Sequence, residues 1–217
     1  MIPLHSATMS SIAQDRKYTL STDQKRKETY NAEDFERYTN IDKFYDPTFF
    51  KGKRVAVVSC NRGVGLQLAT ELSKAGADWI AITRTVSKEL EDLNPPLLIK
   101  DIDVRDDNAV ETLKDQIDSP VDFVIVASGY SSGQRETLDD MIPDELLKTM
   151  DTNTLGPLRI FGHFINNGLL TEGGKAIVLT SQDGSFSFRP DQNPEGKDLG
   201  YQVRMNASND CMTRVSQ

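Results

Sequence analysis

Cysteine is scarce in this chain: Cys60 and Cys211 are the only two in 217 residues. Their separation matches no metal or redox spacing, and a reduced intracellular compartment, the cytoplasm, is the expected location. Histidine is as sparse, with His5 and His163 far apart and no His/Cys/acid spacing beside them, so no metal site is expected. No apolar run approaches the ~20 residues that span a bilayer, so no membrane-spanning helix is expected. The first dozen residues lack a basic segment followed by an apolar core, so no secretory leader is expected. Residues 1–14 lack acids and carry three serines, a composition seen in organelle-targeting segments, but they also lack arginine. Positive charge is in deficit: the formal net charge is −8, which argues against nucleic acid or an anionic membrane as partner. There is no internal repeat.

What is present divides the chain in three. Residues 1–50 are polar, with acids and bases balanced, and 1–32 are expected to be a disordered extension. Residues 33–50 hold the cluster Phe35, Tyr38, Phe44, Tyr45, Phe49 and Phe50 and are expected to dock on the main domain. Residues 51–217 alternate short apolar runs with helical patterns. Strands are expected at Val55–Ser59, Trp79–Thr83, Leu97–Ile102, Val121–Ala127 and Lys175–Thr180. Between the first two, Val64, Leu68, Leu72 and Ala75 recur on one helical face, and Gly76 stops the helix. Val110, Leu113 and Ile117 mark another helix, capped by Asp106 or Asp107. Further helices are expected around Pro143–Asp151 and Pro157–Leu169, the acids Asp144 and Glu145 forming a solvated start. Repeated βα units with strands apolar on both faces imply an α/β fold: a doubly wound, Rossmann-like parallel sheet covered on both sides. Ligands in such sheets bind at the carboxyl ends of the strands.

The first strand runs into Ser59-Cys60-Asn61-Arg62-Gly63-Val64-Gly65, a small-residue turn that opens a helix. Such a turn gathers backbone N–H groups at a helix N-terminus, where a phosphate diester is well held. Asn61-Arg62-Gly63-Val64-Gly65 closely resembles the Asn-Arg-Gly-Ile-Gly turn of the short-chain dehydrogenase/reductase superfamily. That family's first glycine falls at Ser59, or at Cys60 if the loop is one residue shorter. The second strand ends in Thr83-Arg84-Thr85, with no acid to take a ribose 2′-hydroxyl. Arg84 and Arg62 match basic positions of NADP-preferring members, and two guanidinium groups suit a 2′-phosphate. NADP is therefore the expected cofactor.

The resemblance extends along the chain. Asp103-Val104 looks like the family's Asp-Val element, whose Asp contacts the adenine, although an Asp there also commonly caps a helix. Gly129 matches the glycine of Asn-Asn-Ala-Gly, but Val126 and Ala127 replace the amides. Asn153 resembles the Asn of the family's proton-relay tetrad; on the residues alone it equally reads as a break between two helices. Pro157 promotes a local irregularity there. Ser181 stands at the catalytic serine and Tyr201 at the catalytic tyrosine. The interval of twenty residues is longer than the commonest one, as in carbonyl-reductase-like members. A tyrosine, with a reference pKa of about 10, needs a neighbouring cation to act as an acid near neutrality. The family places a lysine one turn later; this chain has Met205, with Arg204 beside it.

The resemblance runs from about Gly52 to the C-terminus. Members usually continue for tens of residues, so the family's last two strands and substrate loop are expected to be missing. Much of the dimer interface lies in that continuation; a homo-oligomer is compatible with the resemblance. Two readings follow. One is a reductase moving hydride between NADP(H) and a small carbonyl or alcohol substrate. The other is a nucleotide-binding or scaffold protein of the same fold with impaired turnover, motivated by Met205 and the lost amides. Cys60 is expected to be a packing residue rather than a nucleophile.

Overall fold

The computed structural model describes residues 46, 48–131 and 142–180. Within them five parallel strands form one sheet in the order β3-β2-β1-β4-β5. They are β1 (Arg54–Val58), β2 (Asp78–Ile82), β3 (Leu97–Ile99), β4 (Val121–Val126) and β5 (Leu170–Val178). The order reverses direction at β1: β2 and β3 build outward on one side, β4 and β5 on the other. This is the doubly wound arrangement expected, and it opens a crevice where β1 and β4 diverge. Helices α1 (Gly63–Lys74), α2 (Lys88–Asp92), α3 (Asp107–Glu111), α4 (Leu113–Gln116), α5 (Pro143–Met150) and α6 (Gly156–Asn166) connect the strands.

Apolar residues of β1, β2 and β4 fall alternately into two cores. Ala56, Val58, Ile80, Ile82, Val124 and Val126 pack on one face with Ile160 and Phe164 of α6 and with Val110 and Leu113. Val55, Val57, Trp79, Ala81 and Ile125 pack on the other with Ala69 and Leu72 of α1. A strand buried on both faces has to be apolar at nearly every position, which explains the continuous runs Val-Ala-Val-Val and Trp-Ile-Ala-Ile. Phe49 and Phe50 pack edgewise on each other and against Phe123, with ring centroids 4.9–5.9 Å apart.

Boundaries differ from expectation where local backbone decides. β3 stops at Ile99 rather than Ile102, because Asp101 adopts φ +65° and turns the chain. β5 begins at Leu170, five residues early. Thr171-Glu172-Gly173-Gly174 has a loop's composition but forms an irregularity within the strand, Gly173 taking φ +76°. The buried face of α1 is Gly65, Ala69 and Leu72; of the expected stripe Leu72 is buried, Leu68 and Ala75 are half-buried, and Val64 is 65% exposed. The α3–α4 stripe is as expected, with Val110, Leu113 and Ile117 buried. Asp106 is the cap, accepting from the N–H groups of Asn108 (2.9 Å) and Ala109 (3.3 Å). Between α5 and α6 the chain does not break: Asp151–Leu155 is a π-helical turn that joins them.

Candidate functional site

The carboxyl ends of β1 to β4 border a cleft of about 900 Å³. Its floor is the turn after β1. Ser59 takes φ +67°, a conformation that glycine adopts without strain. Of the two small residues here, Ser59 and not Cys60 takes this glycine-like conformation. Cys60 lies fully buried in the α1-side core, and burial pushes its thiol up to about 11. Gly63 also has positive φ (+56°). Gly65 is required by packing: a Cβ there would lie 2.3 Å from the Ser59 carbonyl oxygen. Helix α1 can therefore start directly against the end of β1. Arg62 caps that start with no side-chain hydrogen bond, and no acid occupies the first turn. The first N–H groups of a helix have no partner within it, so this end presents donors and positive potential to the cleft. Ser59, Asn61, Arg62, Gly63, Val64 and Gly65 all line it.

The turn is tied to the β2 exit. Asn61 Nδ2 donates to Thr85 Oγ1 at 3.0 Å, and Ser87 Oγ donates to the Asn61 carbonyl at 2.7 Å. Arg62 and Arg84 are both exposed on this wall. Arg84 Nη1 lies 3.2 Å from Asp103 Oδ2 across the cleft end. Asp103 is held more tightly by Arg105, whose Nε donates to Oδ1 (3.1 Å) and Nη2 to Oδ2 (2.8 Å). The Arg105 backbone N–H adds a third bond at 3.0 Å. Hydrogen bonding from Arg105, with Arg84 adding to it, holds the Asp103 carboxyl well below the usual carboxylate range. Val104 lines the same wall. A Cβ on Gly156 would meet Val104 Cγ2 at 2.7 Å, so only glycine allows the start of α6 to approach so closely.

The β4 exit forms the far wall. Gly129 lines the cleft, and a Cβ there would meet no protein atom within 4 Å. Among the described residues no contact requires glycine at this position; its missing side chain widens the cleft. The neighbouring Ser128 hydroxyl is buried without a hydrogen-bond partner among the described residues. Asn153, on the π turn, does not line the cleft. Its side chain clamps the loop after Gly129: Oδ1 accepts from the Tyr130 N–H (2.7 Å) and Nδ2 donates to the Tyr130 carbonyl (3.0 Å). Asn153 is thus a bracing residue in the middle of a continuous helix, not a break. The Tyr130 hydroxyl donates to Glu145 Oε2 at 2.6 Å, and Lys148 Nζ donates to that hydroxyl at 2.9 Å. Glu145 is therefore a partner of the loop rather than part of a solvated helix start.

Ten residues expected at a dinucleotide site thus border one cleft, and Asn153 braces its rim. Ser181, Tyr201 and Met205 lie outside the described residues. Arg105, Tyr130 and Lys148, which also line the cleft, were not expected from sequence. Arg105 and Tyr130 each lie next to an expected residue, Val104 or Gly129, and adjacency to the exits was the available signal. Lys148 reaches the cleft only through the fold. Among the described residues no group of His, Cys, Asp or Glu could hold a metal ion. No helix among them is long and apolar enough to cross a membrane.

The model of the short chain dehydrogenase family matches residues 53–190. The chain belongs to this family. It is 28% identical over 142 residues to a fatty acyl-CoA reductase of Acinetobacter baylyi, covering 60% of this chain. The chain spans about half the length of that curated relative (48%). Among solved structures, a carbonyl reductase from Pseudomonas aeruginosa PAO1 in complex with NADP superposes with a TM-score of 0.64 at 21% identity, over 75% of this chain and 73% of that one. A FabI–NADH complex from Alistipes finegoldii gives 0.62 at 17% identity, over 76% of this chain and 59% of that one. At such identities the likeness speaks for the fold.

Proposed function

We propose that the protein is an NADP(H)-dependent oxidoreductase acting on a small carbonyl or alcohol compound. The observation that carries this reading is the cleft wall on which the glycine turn and two exposed arginines, Arg62 and Arg84, stand together. The donor set suits the ligand: a helix N-terminus for a pyrophosphate, guanidinium groups for a 2′-phosphate, and open space at Gly129 for a ribose. The family and the NADP- and NADH-bound structural neighbours support a nicotinamide dinucleotide; Arg62 and Arg84 favour the phosphorylated form. The bound dinucleotide would supply or take up hydride. In this reading Ser181 hydrogen-bonds the substrate oxygen and Tyr201 holds the proton exchanged with it. Because the side chain of Asn153 is engaged with Tyr130, its part is to fix the Gly129–Tyr130 loop.

With Met205 one turn after Tyr201, the tyrosine lacks the family's lysine, and turnover is expected to be slow. The test is NADPH oxidation by the full chain over a broad carbonyl panel, alongside Met205→Lys. Low but measurable turnover is expected, rising at least tenfold in the variant. A wild type and variant that both bind NADPH and oxidise none would favour the non-catalytic alternative.

A further inference from the structure

Two arginines share the Asp103 carboxylate, and they do so unequally. Arg105 contributes two side-chain bonds and one backbone bond at 2.8–3.1 Å and is two-thirds buried. Arg84 contributes a single contact at 3.2 Å and is 64% exposed. A guanidinium bound through two nitrogens is fixed in place, whereas one held by a single exposed contact is easily redirected. We propose that Arg105 is a positioning residue for phosphate recognition: it holds the Asp103 carboxylate so that Arg84 is free to leave it for a ligand 2′-phosphate. This deepens the NADP reading and rests on it. Without Arg105, Asp103 would have Arg84 as its remaining close cation, and carboxylate and phosphate would compete for one guanidinium. Arg105 itself stays on Asp103 and does not have to touch the ligand.

The experiment measures dissociation constants for NADPH and for NADH by calorimetry on the full chain and compares their ratio. The adenine is the same in both ligands, so a weakened interaction between it and Asp103 cancels in that ratio. Wild type should prefer NADPH. Arg105→Gln should lower the preference about fivefold, the weight of one exposed ion pair tightened on Arg84. Adding Asp103→Asn to Arg105→Gln should return the ratio to within about twofold of wild type, because nothing then competes for Arg84. Asp103→Asn alone should keep or raise the preference, and it supplies the test if Arg105→Gln folds poorly. A wild type without preference would overturn the NADP reading itself. A wild-type preference that Arg105→Gln leaves unchanged would overturn the role of Arg105. A loss that Asp103→Asn fails to repair would mean that Arg105 acts other than through Asp103. A drop in preference in Asp103→Asn alone would also count against the proposal.

Discussion

Single residues in the turn after β1 carry opposite strains. Ser59 holds φ +67°, which costs an L-residue roughly 1–2 kcal/mol. Ser59→Gly is expected to stabilise the protein by about 1 kcal/mol, less glycine's own entropy cost, and to raise the denaturation midpoint. Gly65→Ala should do the reverse. Its Cβ would sit 2.3 Å from backbone, and a loss of at least about 2 kcal/mol is expected in the same measurement. Cys60 gives a pH dependence. Its folded-state thiol ionises near 11 rather than at its ordinary value near 9.0, because burial disfavours the thiolate. Between these values the unfolded chain holds fewer protons than the folded one, so stability falls as pH rises. The loss should be on the order of 2 kcal/mol by the upper end, and stability curves of Cys60→Ala should lack that component.

At the scale of elements, the joint between α5 and α6 does the most to shape the site. The π turn at Asp151–Leu155 brings Asn153 to the Tyr130 backbone and Gly156 onto Val104. Asn153→Ala should leave a part-buried N–H and C=O short of their partners and cost about 1–3 kcal/mol, with faster amide exchange at Tyr130. Gly156→Ala should cost a similar amount through its clash with Val104. That penalty should shrink in a Val104→Ala background, where the obstructing methyl is gone; additive penalties would contradict this packing. The strands and the capped helix at Asp106 were legible in the sequence, because burial on both faces and a carboxylate before a helix leave local signatures. The β5 start and the α5–α6 joint were not. Gly173-Gly174 resembles a loop when seen without β4, and Asn153-Thr154-Leu155-Gly156-Pro157 resembles a break when seen without Tyr130 and Val104. The turn residues of the cleft were readable for the same local reason as the strands. Lys148 on Tyr130 was not, since that pairing depends on which side chains meet after folding, whereas Arg105 lies two residues after Asp103 and its adjacency was the signal.

For the whole molecule, the sheet reversal at β1 puts four strand ends, one helix N-terminus and the arginines Arg62 and Arg84 on the cleft border. The proposed function requires this border to select a phosphorylated dinucleotide. A ligand present at 100 times its dissociation constant adds about 2.7 kcal/mol to stability, enough to shift a melting curve clearly. The most direct measurement is therefore thermal denaturation of the full chain with equal concentrations of NADPH or NADH, in wild type and in Arg84→Ala. A larger rise with NADPH than with NADH is predicted in wild type, and a smaller difference between the two in Arg84→Ala, where Arg62 remains. No rise with either dinucleotide, or equal rises in wild type, would contradict the claim.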